Sequence, residues 1–212
     1  MLIHPWDEAT SAQWREVLNR VDFGQLVTAG HVDGYPVVVP THFLYDGADQ
    51  VLLHLARPNP VWRALDADDH VVLAVSTDYV YVEAAWNADA DTPPERGVPT
   101  SYYTAVQLLC TAEIVDDPVE KAAILAAQLA HFESAGSRRV TPSIHVESDR
   151  RQLPGIRGLR LEVQAVRGKL KYGGNKSAAD RGRIAQRLDD RSGPMDATAR
   201  RHLLNRLPPD AG

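Results

Sequence analysis

The chain has 212 residues, of which 44% are hydrophobic and 24% charged, and its net charge at pH 7 is −5. That composition excludes a collagen-like or disordered chain, and the length suits one domain with a full core. A single cysteine, Cys110, excludes an internal disulfide and points to a reducing cytoplasm.

The N-terminus, MLIHPWDEAT, has no basic region followed by an apolar run, so it does not read as a signal peptide. Trp14, Val17, Leu18 and Val21 share one helical face, which predicts an amphipathic helix from about Ser11. FGQLVTAGH, YPVVVPTHFLY and VLLHLA then read as three antiparallel strands in a meander, turned by Asp33-Gly34 and Asp46-Gly47. NPVWRAL (59–65) predicts a short helix capped by Asn59, with Pro60 in its first turn. HVVLAVS and YVYVEA are two further β runs, and the stretch from Trp86 to Tyr103, with three prolines, reads as a long loop.

TAVQLLCTAEIV (104–115) predicts a strand, and DPVEKAAILAAQLAHF a helix whose face carries Ala122, Leu125, Leu129 and Phe132. After a polar stretch, GLRLEVQAVRGKLKY alternates as a last long strand, turning Leu159, Leu161, Val163 and Ala165 inward. Ser177-x-x-Asp180 resembles a capping box for AADRGRIAQRL, and a final helix is expected over 198–207. Six or seven antiparallel strands with helices between them predict a mainly β fold, a small closed or partly closed barrel in one domain over 1–212. No apolar segment approaches the roughly 18 residues needed to cross a bilayer.

Charge is uneven. From Arg150 to Arg187 there are eleven Lys or Arg against Glu162 and Asp180, a local +9 that leaves −14 for the rest. Such a segment suits nucleic acid, a phosphate-bearing ligand or acidic neighbours in the same chain, and for an acidic protein nucleic acid is not favoured. The eight histidines never adopt HxH or HExxH spacing, which argues against a metal site. Elbow, P-loop and dinucleotide-binding glycine motifs are also missing, and Cys110 among leucines reads as a core thiol.

Five clusters remain that packing alone does not explain: PTHFLY (40–45), HLARPNPVWRAL (54–65), YVEAAW (81–86), VPTSYY (98–103) and VRGKLKYGGNKSAADR (166–181). Their order and spacing resemble the PaiB-like proteins, the FMN-binding negative transcriptional regulators of the FMN-binding split-barrel superfamily. HLARPNPVWRAL carries the resemblance most specifically, following a His-x-Ala-Arg-Ala-Asn-Pro-x-Trp pattern.

The resemblance implies a six-stranded split barrel, a homodimer, and FMN in clefts at the subunit interface. It implies that Arg57 and the helix beginning near Asn59 hold the phosphate, and that Thr41, His42 and His54 meet the flavin ring. Lys169, Lys171 and Lys176 would steady negative charge on reduced flavin, with Gly174 and Asn175 approaching the ligand through their backbone. Trp86, Thr100, Tyr102 and Tyr103 would line the substrate pocket. The chain departs from the family pattern at Glu83-Ala84-Ala85-Trp86, at Ser101 and at Tyr172-Gly173-Gly174-Asn175-Lys176, losing Ser, Trp and Gln side chains.

The function so implied is an FMN-dependent oxidoreductase acting on a small organic substrate, with no single catalytic side chain indicated. The other reading is a regulator or metabolite sensor without turnover. Deazaflavin and heme are the alternative ligands within the fold.

Overall fold

Asp33 and Gly34 both take positive φ, 55° and 86°, and join two paired strands, as Asp-Gly between apolar runs requires. The computed structural model describes residues 1–89 and 91–205. Its strands are β1 (Phe23–Val32), β2 (Tyr35–His42), β3 (Leu44–Tyr45), β4 (Gln50–Ala56), β5 (His70–Val82), β6 (Thr100–Val115) and β7 (Ile156–Lys171). Its helices are α1 (Ser11–Arg20), α2 (Val61–Ala67), α3 (Ala84–Asn87), α4 (Pro118–Phe132), α5 (Glu147–Gln152), α6 (Ala178–Arg191) and α7 (Asp196–Leu204). The strands form one antiparallel sheet in the order β2-β1-β5-β6-β7-β4-β3, with the helices peripheral.

The expected meander is corrected by this order. YPVVVPTHFLY is two strands, broken at Phe43, and they lie at opposite ends of the hydrogen-bonding order. β2 pairs with β1, with Phe23 opposite His42, while β3 pairs with β4, with Leu44 opposite Leu52. Phe43 is fully buried and donates its N–H to Asp22 O at 2.8 Å, so a single core residue joins the two ends. Passing one chain between the ends is how an antiparallel sheet removes its edges.

HVVLAVS and YVYVEA are likewise one strand, not two. β5 runs through a kink at Asp78, whose φ is +56° and whose carboxylate accepts from Thr77 Oγ1 at 3.1 Å. Asp tolerates this left-handed conformation better than most residues, so the turn signal there marks a bend within a strand. The long loop is shorter than expected, because α3 covers Trp86 and β6 starts at Thr100. Thr, Ser and two tyrosines favour extended backbone once β5 and β7 flank them.

Contacts divide the chain into two compact units. Unit 1 comprises Met1–Trp14, Ser76–Val106 and the residues from Arg167 on; unit 2 comprises Arg15–Val75 and Gln107–Val166. In unit 1, Val80, Val82, Tyr102, Leu170, Tyr172, Ile184, Leu188, Ala199 and Leu203 form one buried cluster. Ser177 caps α6 as the sequence implies, accepting from Asp180 N at 3.1 Å. α7 starts two residues before the expected 198, and the expected end at Leu207 lies outside the described residues.

In unit 2, Leu26, Phe43, Val51, Leu53, Leu73, Leu108, Leu159 and Leu161 are fully buried. α4 begins after Asp117, whose carboxylate accepts from Val119 N and Glu120 N. Its buried face differs from the expected one: Lys121, Ala122, Ile124 and Gln128 are buried, and Phe132 is exposed. Lys121 can be buried because its ammonium donates to Leu153 O at 2.8 Å and Ile156 O at 3.2 Å. Val163 is half-buried and Ala165 exposed, so the inward alternation of β7 fails after Leu161. Burial pushes the Cys110 thiol up to about 12, which agrees with a core thiol.

Candidate functional site

The GGNK stretch lies against the start of the chain. A Cβ at Gly174 would sit 2.2 Å from Trp6 O, so glycine is required there for a close approach of backbone. Gly173 has φ +62°, and a Cβ on it would come 2.7 Å from the Tyr102 hydroxyl. The glycines therefore admit the chain's own N-terminal segment, and the approach of Gly174 to a ligand is replaced by its approach to Trp6.

That segment is tied down at several points. Ala9 N donates to Gly168 O at 3.1 Å, Glu8 bridges Lys169, and Lys169 Nζ donates to Leu2 O at 2.8 Å. Lys169 is only 7% exposed and lies 4.0 Å from the buried Asp7 carboxylate. The alternation of β7 places Lys169 and Lys171 on one face, but Lys169 is spent inside the protein. Lys171 is half-buried; its Nζ donates to Thr100 Oγ1 at 2.9 Å, and both lysines lie over the Tyr103 ring.

Together these residues leave a cleft of about 270 Å³ in unit 1, lined by His4, Trp6, Asp7, Asn87, Thr100, Tyr102, Lys171, Gly173, Asn175 and Lys176. His4 stacks on Trp6 with ring centroids 4.7 Å apart. Lys176 Nζ is taken by Asn87 O at 2.8 Å and Asp89 Oδ1 at 2.7 Å. Two buried polar atoms of the lining have no partner among the described residues, the Tyr102 hydroxyl and Asn87 Oδ1. Burial raises the Tyr102 pKa, with the Asp7 charge adding to it, so the phenol stays protonated and can donate.

The start of α6 is a poor seat for an anion. Asp180 N, in its first turn, donates to Ser177 Oγ, and the buried Asp180 carboxylate occupies that turn, paired with Arg183. An acid at that end already satisfies the helix dipole.

The other expected residues lie in unit 2. Thr41 is buried and its hydroxyl donates to His42 O at 2.9 Å. The His42 ring meets His54 and Phe132 edge-on, with centroids 5.5 and 5.0 Å away. Partial burial, then the neighbouring His54, lowers the His42 pKa, which favours its neutral form. His54 Nδ1 is 2.6 Å from Gln128 Oε1, and His54 lines a cavity of about 290 Å³ with Leu125, Leu129, Ile156 and the Arg139–Asp149 ion pair. Asn59 Oδ1 accepts from Val61 N at 3.0 Å, so the short helix α2 spends its first amide on its own cap.

Arg57 donates to Pro154 O at 2.6 Å and to Asp116 Oδ1 at 2.9 Å, and Arg157 binds the same carboxylate. Those two guanidiniums hold the Asp116 carboxyl below its usual range. Lys121 interacts with the same group, where Arg57, Arg157 and Lys121 face Asp116 and Asp117. The buried Lys121 ammonium is spent on Leu153 O and Ile156 O, but the two guanidiniums share the one Asp116 carboxylate, a donor set that fits a phosphate.

Comparison with known proteins bears on what these groups hold. Residues 1–165 match the family model described as "Putative FMN-binding domain". The chain belongs to this family of FMN-binding domains. It is 24% identical over 205 residues to the protease synthase and sporulation protein PAI 2 of Bacillus subtilis, with 92% of each chain covered.

Among solved structures it is similar to the conserved hypothetical protein Rv2991 of Mycobacterium tuberculosis. That match has a TM-score of 0.56 and 16% identity, and covers 80% of this chain and 90% of that one. It is also similar to the flavocytochrome Anf3 of Azotobacter vinelandii, with a TM-score of 0.56, 19% identity, and 80% and 75% covered. These likenesses bear out the expected split-barrel fold, and FMN is the family's cofactor. The family match ends before Lys169, so the closing cluster rests on the longer similarity to the Bacillus protein.

The cleft brings together Thr100 and Tyr102, expected in the substrate pocket, with Lys171, Asn175 and Lys176, expected at the cofactor. Sequence reasoning missed Asn87, His4 and Asp7, although the HPW at the N-terminus was a usable signal. Trp86 packs on the unit 1 core and over Arg191 and does not line the cleft. One acidic adjacency also escaped the histidine count: Asp68, Asp69 and His70 lie close together, all exposed, with His70 bonded to Asp68.

Proposed function

We propose that this protein is an FMN-dependent oxidoreductase for a small organic substrate, working in the cytoplasm as a homodimeric single-domain protein. The observation that carries the reading is the unit 1 cleft, where a buried phenol and a buried amide oxygen lack partners beside Lys171. Native proteins rarely leave such groups unsatisfied unless a ligand or water meets them. Family membership supplies the cofactor: Arg57, with Arg157, would hold its phosphate, and His42 and His54 would approach the ring. Bound FMN supplies the redox chemistry, and the side chains supply binding, orientation and the exclusion of water. His42, held neutral, can donate or accept one hydrogen bond without adding charge.

The relative named for sporulation favours a second reading, a regulator that contacts DNA through the basic segment. Internal pairing of that segment supports the first reading. Arg151, Arg157, Arg160, Lys176 and Arg183 pair with carboxylates, Lys169 with Asp7 and Leu2 O, Lys171 with Thr100, and Arg181 is buried.

The test begins with FMN titration of the purified protein, followed by anaerobic reduction and reoxidation against a panel of small acceptors. Stoichiometric FMN with turnover is expected, and duplex DNA should bind weakly and fall away steeply with salt. Sequence-selective DNA binding at physiological salt without turnover would replace this reading with the regulator. Light scattering with FMN present is expected to give a dimer mass.

A further inference from the structure

We infer that the unit 1 cleft is a substrate pocket for a small planar acid, one that carries a hydrogen-bond donor next to its carboxylate. The inference rests on the oxidoreductase reading for the word substrate, and on the cleft alone for its chemistry. Four polar groups define that chemistry. Lys171 Nζ has a hydroxyl partner, Thr100 Oγ1, and no carboxylate within ion-pair distance among the described residues; the Asp7 carboxylate that also lines the cleft lies against Lys169, which leaves the Lys171 charge without a direct counter-ion. Thr100, accepting from Lys171, keeps its own O–H to donate. Tyr102 is 2% exposed and its hydroxyl is unpartnered.

All three therefore ask for acceptor oxygens, and an uncompensated ammonium favours an anionic one. Asn87 asks for the reverse. Its Nδ2 donates to Val98 O at 2.6 Å, which fixes the amide orientation and leaves Oδ1 buried and without a donor.

A ligand of acceptors alone, such as a phosphate, would leave Asn87 Oδ1 facing other oxygens. A neutral amide would leave Lys171 uncompensated. A carboxylate with a neighbouring N–H or O–H satisfies both. Shape narrows the class further. Trp6 is 43% exposed and stacked on His4, which gives the cleft a flat aromatic wall. Its volume, about 270 Å³, falls just below the roughly 300–1,000 Å³ usual for small-molecule sites. One substituted ring fits, whereas a ring bearing a ribityl phosphate chain does not.

FMN itself carries carbonyl oxygens and an N–H on its ring, so the test must separate substrate from cofactor. Calorimetric titrations of the purified protein would use pyrrole-2-carboxylate, furan-2-carboxylate, which lacks the N–H, and pyrrole-2-carboxamide, which lacks the charge. Each titration would be run with and without saturating FMN. Pyrrole-2-carboxylate is expected to bind about tenfold or more tightly than either analogue, the worth of one hydrogen bond involving a charged or buried group, and to keep binding when FMN is present.

Tyr102→Phe should weaken it by about tenfold while leaving the melting temperature unchanged or slightly raised, because the lost hydroxyl had no protein partner. A merely structural tyrosine would do the opposite. Lys171→Met should abolish the preference for carboxylate over carboxamide.

Equal affinities for the three probes, displacement of the probe by FMN, or unchanged affinity in Tyr102→Phe would each overturn the inference. FMN uptake is read separately, by quenching of flavin fluorescence. A protein that binds FMN but treats all probes alike refutes the pocket and leaves the oxidoreductase reading standing. One that discriminates among the probes yet takes up no flavin upholds the pocket and sinks that reading.

Discussion

Replacing Gly174 with Ala adds one methyl group where the N-terminal segment crosses the turn after β7. The new Cβ would lie 2.2 Å from Trp6 O and 3.0 Å from Trp6 C, so the Trp6 backbone must retreat by about 0.8 Å to reach even the closest tolerated contact. It cannot do so freely. Asp7 N and Glu8 N both donate to His4 O, at 2.8 and 3.1 Å, and Ala9 is held by Gly168 and Leu2 by Lys169. Overpacking of a constrained site costs about 1–3 kcal/mol. At roughly 2–4 °C per kcal/mol for a chain of this size, the melting temperature should fall by about 2–12 °C.

Gly182→Ala supplies the contrast. Gly182 lies inside α6 with nothing near its Cβ position, so the same methyl should stabilise by about 0.5–1 kcal/mol through helix propensity. Thermal and urea denaturation of the two variants, followed by tryptophan fluorescence and circular dichroism, measures both signs. If Gly174→Ala is as stable as the parent, the close packing of Trp6 on the turn, and with it the aromatic wall of the cleft, is refuted.

Arg191 binds the buried Asp196 through two hydrogen bonds, donates to Tyr81 O at 2.8 Å and lies over Trp86, so Arg191→Ala should cost about 3–5 kcal/mol in urea denaturation. The Arg191 hydrogen bonds, then that from Gly193, hold the Asp196 pKa below 3.8. Its contribution is therefore present above that value and lost as pH falls through the folded-state value; Asp196→Asn should flatten this acid limb in melting curves. Lys169→Ala should destabilise the protein, because Lys169 is buried and donates to Leu2 O, whereas Lys171→Ala should leave the melting temperature nearly unchanged. Equal effects of the two would contradict the different burial of these side chains.

The sequence by itself determined the local structure and the family. Period-two runs became strands, Asp33-Gly34 became a hairpin turn, Ser177 became a cap, and HLARPNPVWRAL carried the resemblance that the family match bears out. These features depend on neighbours a few residues apart, which the chain order displays directly. The tertiary structure alone decided three other things.

It broke one apolar run at Phe43, because the long-range pairings of β1 with β5 and of β4 with β7 carry the two hairpins to opposite ends of the strand order. It fused two β runs across Asp78, where a residue that usually marks a turn is accommodated inside a strand. And it separated Lys169 from Lys171. Alternation put both on one face, but whether a lysine is buried against a carbonyl or left to a ligand depends on what lies above that face. Here it is the first nine residues of the chain, more than 150 positions away in sequence, whose backbone takes Lys169 and leaves Lys171 at the cleft.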